Sequence, residues 1–375
     1  MRPTLMPLDV LMTADAVGGV WTYAMDLCGA LARRGVAVTL AVLGPEPRAQ
    51  QRAEAQEAGA TLIETGLPLD WTADAPEQVL RAGAAVAALA RETGAALVHL
   101  NSPALAAGGH FDRPVVALCH SCVATWWQAV RGGALPADLA WRADLTGRGY
   151  RAADALIAPS AAFARATAAA YGLPTPPRLV PNGRRWMAAT PLAASRPARH
   201  ALTVGRLWDV GKNIAALDRA AARLGAPIHA IGPLAGPNGA AVALHRLRTL
   251  GSLDAGAVAR RLACASVFVA PARYEPFGLA VLEAAQAGCA LVLSDIPTFR
   301  EMWSDAAAFV PPEDDAAIAA AIARLLGDRA LRIARGRAAR ARALRYGVDR
   351  MAEGVLRVYG AVLPAPHRAP WGQAA

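Results

Sequence analysis

The chain has 375 residues, of which 55% are hydrophobic and 18% charged. That balance excludes a disordered chain, and the length leaves room for two cores, since one core rarely grows past about 250–300 residues. The formal net charge of +10 is unevenly placed, with −1 on residues 1–183 and +11 on residues 184–375.

The N-terminal stretch MRPTLMPLDVLMTAD has one Arg and an apolar run interrupted by Asp9. It reads as a strand and lacks the apolar centre and cleavage site of a signal peptide. No run of 18 uncharged apolar residues follows, so no spanning helix is expected. A cytoplasmic chain is the expectation, with peripheral contact at the inner face of a membrane left open.

Residues 7–12 read as the first strand, and the loop after them contains Gly18-Gly19. From about Trp21 to Arg34, apolar residues at 24, 27, 28 and 31 form a helical stripe. Val36–Leu43 is a second strand. Short buried strands are expected at Leu97–Leu100, Val115–Cys119 and Ala155–Ala158, with helices near 76–92, 138–150 and 160–171. Ser121–Arg131 reads as a loop carrying Trp126-Trp127, which either stack on a sugar or belong to the core. The stretch VPNGRRWMAATPLAASRP (180–197), with three prolines and an Asn-Gly turn signal, is the linker.

Alternation restarts with a strand at 201–205, a helix at 214–224 and a strand at 228–231. Helices near 238–246 and 255–263 follow, then a strand at 267–269 and a helix at about 279–287 ended by Gly288. A strand at 291–293 comes next, and helices cover most of 313–362. The tail 364–375 should be poorly ordered. This pattern predicts an α/β fold of two Rossmann-like doubly wound parallel-sheet domains facing across a crevice. The domains are expected at 1–183 and 200–345, with a linker at 184–199 and a C-terminal helix and tail at 346–375 that could cross back to the first domain. Ligand sites then fall at the carboxyl ends of the strands.

Several residue choices bear on chemistry. No G-x-G-x-x-G follows the first strand, which disfavours a nicotinamide or flavin cofactor. Five cysteines suit reduced thiols, and Cys119-His-Ser-Cys122 lacks the second ligand pair a zinc site needs. The Arg-rich run Gly327–Arg350 reads as a solvated helix or an anionic-lipid surface. No aromatic interleaving supports nucleic acid.

Of the 39 basic residues only Lys212 is Lys. A chain so biased towards Arg keeps one Lys most readily where a compact ammonium meets phosphate oxygens. Arg206 and Lys212 flank a strand-to-helix loop and can clamp a diphosphate. Gly18-Gly19 allows close backbone approach to a ligand, though a bare turn explains the pair equally. His120, at a strand's carboxyl end, either meets a substrate hydroxyl or is a satisfied interior His. His99 and His110 read as structural.

Glu275 precedes the helix that starts near Leu279. Glu283 lies one turn into it among apolar residues, where a charge needs a partner such as a vicinal diol.

Glu275-Pro-Phe-Gly-Leu-Ala-Val-Leu-Glu283 resembles the E-x7-E signature of the retaining glycosyltransferases of family 4, which have the GT-B fold. The likeness covers nearly the whole chain. Gly18-Gly19, the strand ending in His120, the segment Asp154–Ser160, Val180-Pro-Asn-Gly183, the Gly-Arg-Leu…Lys stretch and Ser294–Glu301 follow in the family's order. The resemblance implies a hexose transferred from a nucleoside-diphosphate sugar to a carbohydrate or lipid-linked acceptor, with no metal and no cofactor.

It also implies roles. Gly18 and Gly19 lie near the donor phosphates, His120 contacts the transferred sugar, and Arg206 and Lys212 hold the diphosphate. Glu275, with the backbone N–H groups of Phe277, Gly278 and Leu279, binds the sugar and phosphates, and Glu283 binds the ribose hydroxyls. The chain departs from the family in a six-residue step from Arg to Lys, in Asn213 where Gly is frequent, and in Ile231-Gly232-Pro233. The alternative is a catalytically degenerate sugar-nucleotide-binding regulator or scaffold.

Overall fold

The computed structural model describes residues 8–186, 193–195 and 200–364. The chain divides into two compact units. Among the described residues the first holds 8–128, 133–183 and 348–364, and the second holds 129–132 and the residues within 184–347.

In the first unit the elements run β1 (Leu8–Asp15), α1 (Gly19–Ala32), β2 (Val36–Leu43), α2 (Ala49–Glu57), β3 (Ala60–Glu64), α3 (Pro76–Glu92) and β4 (Leu97–Leu100). They continue with β5 (Val115–Leu118), α4 (Val123–Val130), α5 (Ala137–Ala152), β6 (Ala155–Ala158), α6 (Ala161–Tyr171) and β7 (Arg178–Leu179). All pairings are parallel, in the order β3-β2-β1-β4-β5-β6-β7. Strands β4 and β5 are buried on both faces, so they carry near-continuous apolar runs, as parallel strands under helices must. Sequence order reverses between β1 and β4. The chain ends that leave those two strands therefore open a space between them.

The second unit repeats the plan with β8 (Ala201–Val204), α7 (Ile214–Ala221), β9 (Ile228–Ile231), β10 (Arg248–Thr249), α8 (Ala255–Cys264), β11 (Val267–Ala270) and α9 (Leu279–Ala287). Then come β12 (Ala290–Ser294), α10 (Pro297–Trp303), β13 (Ala307–Val310), α11 (Asp315–Gly327) and α12 (Arg329–Ala343). The strand order is β10-β9-β8-β11-β12-β13, so the corresponding switch lies between β8 and β11. The last helix, α13 (Val348–Val362), packs in the first unit. Its Met351, Val355 and Tyr359 join Leu27, Leu31 and Val36 in one buried cluster.

Two local expectations are overturned. Residues 238–246 form no helix. Pro237-Asn238-Gly239 turns the chain, with Gly236 N–H donating to Ala240 O, and the Asp218 carboxylate collects the N–H groups of His245, Arg246 and Leu247. Those donors would otherwise have gone to helical carbonyls, so turn chemistry outweighs the Ala-rich run. Ser121–Arg131 is not a loop, because α4 occupies most of it and both Trp126 and Trp127 are half-buried on that helix. The expectation for the tail 365–375 lies outside the described residues, as do 187–192 and 196–199 of the linker.

The arginines of α12 do more than face solvent. Arg332 is 2% exposed and donates to the carbonyls of Ala194, Leu325 and Leu326, the last two at the end of α11. It thereby satisfies carbonyls that have no helical partner. Arg335 and Arg342 bind the segment around Asp305. No described helix is long and apolar enough to cross a membrane.

Candidate active site

In the second unit the chain leaves β8 at Gly205-Arg206 and leaves β11 at Pro271. Because these strands are neighbours at the switch, the two loops meet. The N–H groups of Arg273 and Tyr274 both donate to Gly211 O, and this stitching brings together residues 63 positions apart. Lys212 Nζ lies 2.5 Å from Glu275 Oε2, with side-chain exposures of 22% and 17%. The pairing is charge-assisted and largely removed from water.

The loop between Arg206 and Lys212 is organised by Asp209, a residue outside the expected site. One carboxylate oxygen accepts from Gly211 N–H at 2.9 Å, and the other accepts from Arg206 Nη2 at 2.7 Å. The Asp-Val-Gly triplet is an Asx-turn signal, and that signal was available in the sequence. The Arg206 guanidinium also lies over the Trp208 ring, 5.5 Å from its centroid.

Asn213, one of the departures from the family pattern, has a left-handed backbone with φ of 57°. This is where Gly is favoured, and Asn is among the few other residues that tolerate it. Its side chain recovers the cost by donating to Pro271 O and Pro312 O. Gly232 sits where β9 ends against the end of β8. A Cβ there would lie 1.8 Å from Gly205 O, so the partial Gly motif keeps the one glycine that this approach demands.

Helix α9 begins after Gly278, whose φ is 91°. The first N–H groups of the helix, starting at Leu279, have no helical partner, which makes this end receptive to anions. Phe277 is buried, edge-on to Tyr346, and Thr298 Oγ1 donates to Glu275 O, so the segment bearing Glu275 is held from both sides. Glu283 has a protein partner, Arg184 Nη2 at 2.9 Å. The apolar neighbours of Glu283 mark it in the sequence as a charge in need of a partner, but nothing there points to Arg184. The structure thus brings Arg206, Lys212, Glu275, Phe277, Gly278 and Leu279 onto adjoining loops, with Glu283 one turn further along.

In the first unit Gly18 is the N-cap of α1 and Gly19 is its first residue. Gly18 has φ of −172°, and an added Cβ would meet nothing within 4 Å, so the turn itself makes no steric demand for glycine. His120 follows β5 and is part-exposed. Its Nε2 lies 2.7 Å from Asn101 Oδ1, and its ring meets Tyr23 edge-on with centroids 4.8 Å apart. Burial, reinforced by neighbouring His99, lowers the His120 pKa to about 3, so the ring is neutral near pH 7.

His99 is wholly buried, is bound through Nδ1 to the Tyr359 hydroxyl at 2.8 Å, and is held by burial at a pKa of about 4. Cys119 is a buried thiol whose pKa burial pushes up. Among the described residues no group of three His, Cys, Asp or Glu gathers as metal ligands.

Comparison with known proteins fits this geometry. The model described as Glycosyltransferase Family 4 matches residues 17–184, and that described as Glycosyl transferases group 1 matches residues 198–328. A phosphatidyl-myo-inositol mannosyltransferase of Mycolicibacterium smegmatis is 36% identical over 119 residues, 31% of this chain and 31% of that protein. A glycogen synthase of Mycobacterium tuberculosis is 42% identical over 101 residues, 26% of this chain and 24% of that one. The matched stretch therefore spans about a third or less of these relatives.

Among solved structures, a sucrose-phosphate synthase from Thermosynechococcus elongatus superposes with a TM-score of 0.77 at 21% identity, covering 94% of this chain and 98% of its own. Anabaena HepE in complex with UDP and glucose gives 0.72 at 16% identity, covering 94% and 100%. At these identities the likeness is one of fold, the GT-B fold.

Proposed function

We propose, from the premise that this chain belongs to glycosyltransferase family 4, that it moves a hexose from a nucleoside-diphosphate sugar to a carbohydrate or lipid-linked acceptor with retention of anomeric configuration. The observation that carries the proposal is the Lys212–Glu275 pair. The only lysine of the chain stands 2.5 Å from the first glutamate of the E-x7-E motif, beside the start of α9.

On this reading the cations and backbone donors of the second unit receive the diphosphate. Arg206 contributes a planar fork and Lys212 a point charge, and the free N–H groups at the start of α9 face the same phosphates. As the glycosidic bond breaks, negative charge grows on the leaving diphosphate, and fixed cations lower the barrier most where charge develops. Glu275, already held by Lys212 and through its own backbone by Thr298, is placed to accept from sugar hydroxyls. Glu283 would take the ribose diol in exchange for, or together with, its contact to Arg184.

Gly18, Gly19 and His120 of the first unit are assigned by resemblance to the phosphates and the transferred sugar. No protein nucleophile is assigned. The donor's own phosphate takes the acceptor's proton in a front-face transfer, and no metal or cofactor takes part. Peripheral contact with a membrane surface would suit a lipid-linked acceptor.

The test is a thermal-shift panel of UDP-, GDP- and ADP-sugars, followed by turnover of the donor that stabilises. A true donor stabilises the fold by mass action, by about 2.7 kcal/mol at one hundred times its Kd, and raises Tm accordingly. Lys212→Ala should then lower kcat on the order of 10²-fold or more, as does loss of an oxyanion-type stabiliser. Turnover by Lys212→Ala near the wild-type rate would remove the clamp assignment. Donor binding without release of nucleoside diphosphate in any acceptor mixture would favour the degenerate binder.

A further inference from the structure

The hydrogen-bonding character of His120 is set by a residue outside every motif noted above. Strands β1 and β4 are paired with Met12 opposite His99, which brings Thr13 and Asn101 together at their carboxyl ends. Asn101 N–H donates to Thr13 Oγ1 at 3.0 Å, and its side-chain Nδ2 donates to Thr13 O at 2.7 Å. A peptide carbonyl can only accept, so the amide nitrogen must lie on that side and Oδ1 on the other. Oδ1 is 2.7 Å from His120 Nε2. An amide oxygen also only accepts, so Nε2 must carry the hydrogen. In the neutral ring the lone pair is then on Nδ1, and no hydrogen bond to Nδ1 occurs among the described residues.

We propose that Asn101 is a positioning residue that fixes His120 as the neutral Nε2–H tautomer, so that Nδ1 is presented as an acceptor to a hydroxyl of a sugar substrate. The identity of that substrate rests on the glycosyltransferase reading; the tautomer does not.

The surroundings support a ring that stays neutral. Tyr23 on α1 meets it edge-on and also stacks with His99 of β4, which is bound to Tyr359 of α13. Cys119 precedes it on the same chain, with its thiol pushed up by burial. These groups are uncharged near pH 7, and burial together with His99 keeps the imidazole below its ordinary range. A carboxylate in place of Asn101 would reverse this by favouring the imidazolium, whose two N–H groups both donate. A donor at Nδ1 would turn a sugar hydroxyl around or repel a cationic transition state.

Long-range proton–nitrogen correlation on the full-length 15N-labelled protein reads the tautomer directly, with His120 identified by the signal lost in His120→Gln. The expected wild-type result at pH 7 is a protonated Nε2 and a bare Nδ1, unchanged from pH 6 to pH 8. Asn101→Asp should convert His120 to the imidazolium at pH 7. Its kcat should rise about tenfold from pH 6 to pH 8 while the wild type changes far less. An Nδ1–H tautomer or an imidazolium in the wild type overturns the proposal, and that measurement needs no variant to fold. It is equally overturned if Asn101→Asp keeps both the wild-type nitrogen shifts and the wild-type pH profile. If no donor is ever turned over, the functional reading fails while the nitrogen spectrum still decides the tautomer.

Discussion

The buried pair His99–Tyr359 ties the last helix to the first sheet and should make that unit sensitive to acid. His99 is 0% exposed, and its pKa is lowered from 6.5 to about 4, chiefly by burial. In the unfolded chain the ring titrates near its ordinary value, so between pH 6.5 and 4 the unfolded state binds a proton that the folded state refuses. A folded pKa depressed in this way costs stability as pH falls through that window, and the loss levels off below it. From pH 7 to pH 5 the single ring accounts for about 2 kcal/mol, and for about 3 kcal/mol by pH 4.

Native-state hydrogen exchange on the peptide containing β4, corrected for intrinsic rates, measures the loss in the unit concerned. The comparison is with His99→Asn, which keeps a polar atom for the Tyr359 hydroxyl and lacks the titrating ring. That variant starts less stable, but its protection should fall about 2 kcal/mol less between pH 7 and pH 5. Parallel losses in the two proteins would show that burial of His99 does not carry the effect.

Two further substitutions test the loop geometry of the second unit. Gly232→Ala would drive a Cβ to 1.8 Å from Gly205 O at a φ of 140°. The end of β8 must then move, with an expected cost of at least 3 kcal/mol in urea unfolding of this unit and a donor affinity that falls with it. Asp209→Ala frees both Arg206 and Gly211 N–H. Donor Kd measured by calorimetry should weaken by about tenfold with little change in Tm, since the ion pair it removes is 44% exposed on the Arg206 side. An unaltered Kd would leave Arg206 without a role in binding.

Much of the fold was legible because parallel strands under helices impose a strong signal. Buried runs such as Val115-Val-Ala-Leu118 and Val267-Phe-Val-Ala270 alternate with helical stripes, and their order alone implies two doubly wound sheets. Glu275 and Lys212 stood out in the sequence as candidates, one through its place before a helix and its likeness to the E-x7-E signature, the other through its rarity.

What sequence could not show was which groups complete each other. The short edge strands β7 and β10 have two residues each and too little pattern to reveal a period. The stretch 238–246 looked helical until Asp218, some 27 residues away, captured its N–H groups. Arg184 for Glu283 and Asn101 for His120 stand far along the chain from the groups they complete. Propensity and periodicity describe each residue against its neighbours along the chain.

The sequence by itself therefore determined the class of fold, the order of its elements and the residue types that reach the strand ends. The tertiary structure decided which strand ends stand side by side, and with that the ionic partners of Lys212 and Glu283 and the protonated nitrogen of His120. Those properties depend on distances of a few ångströms between segments that only the folded parallel sheets bring together.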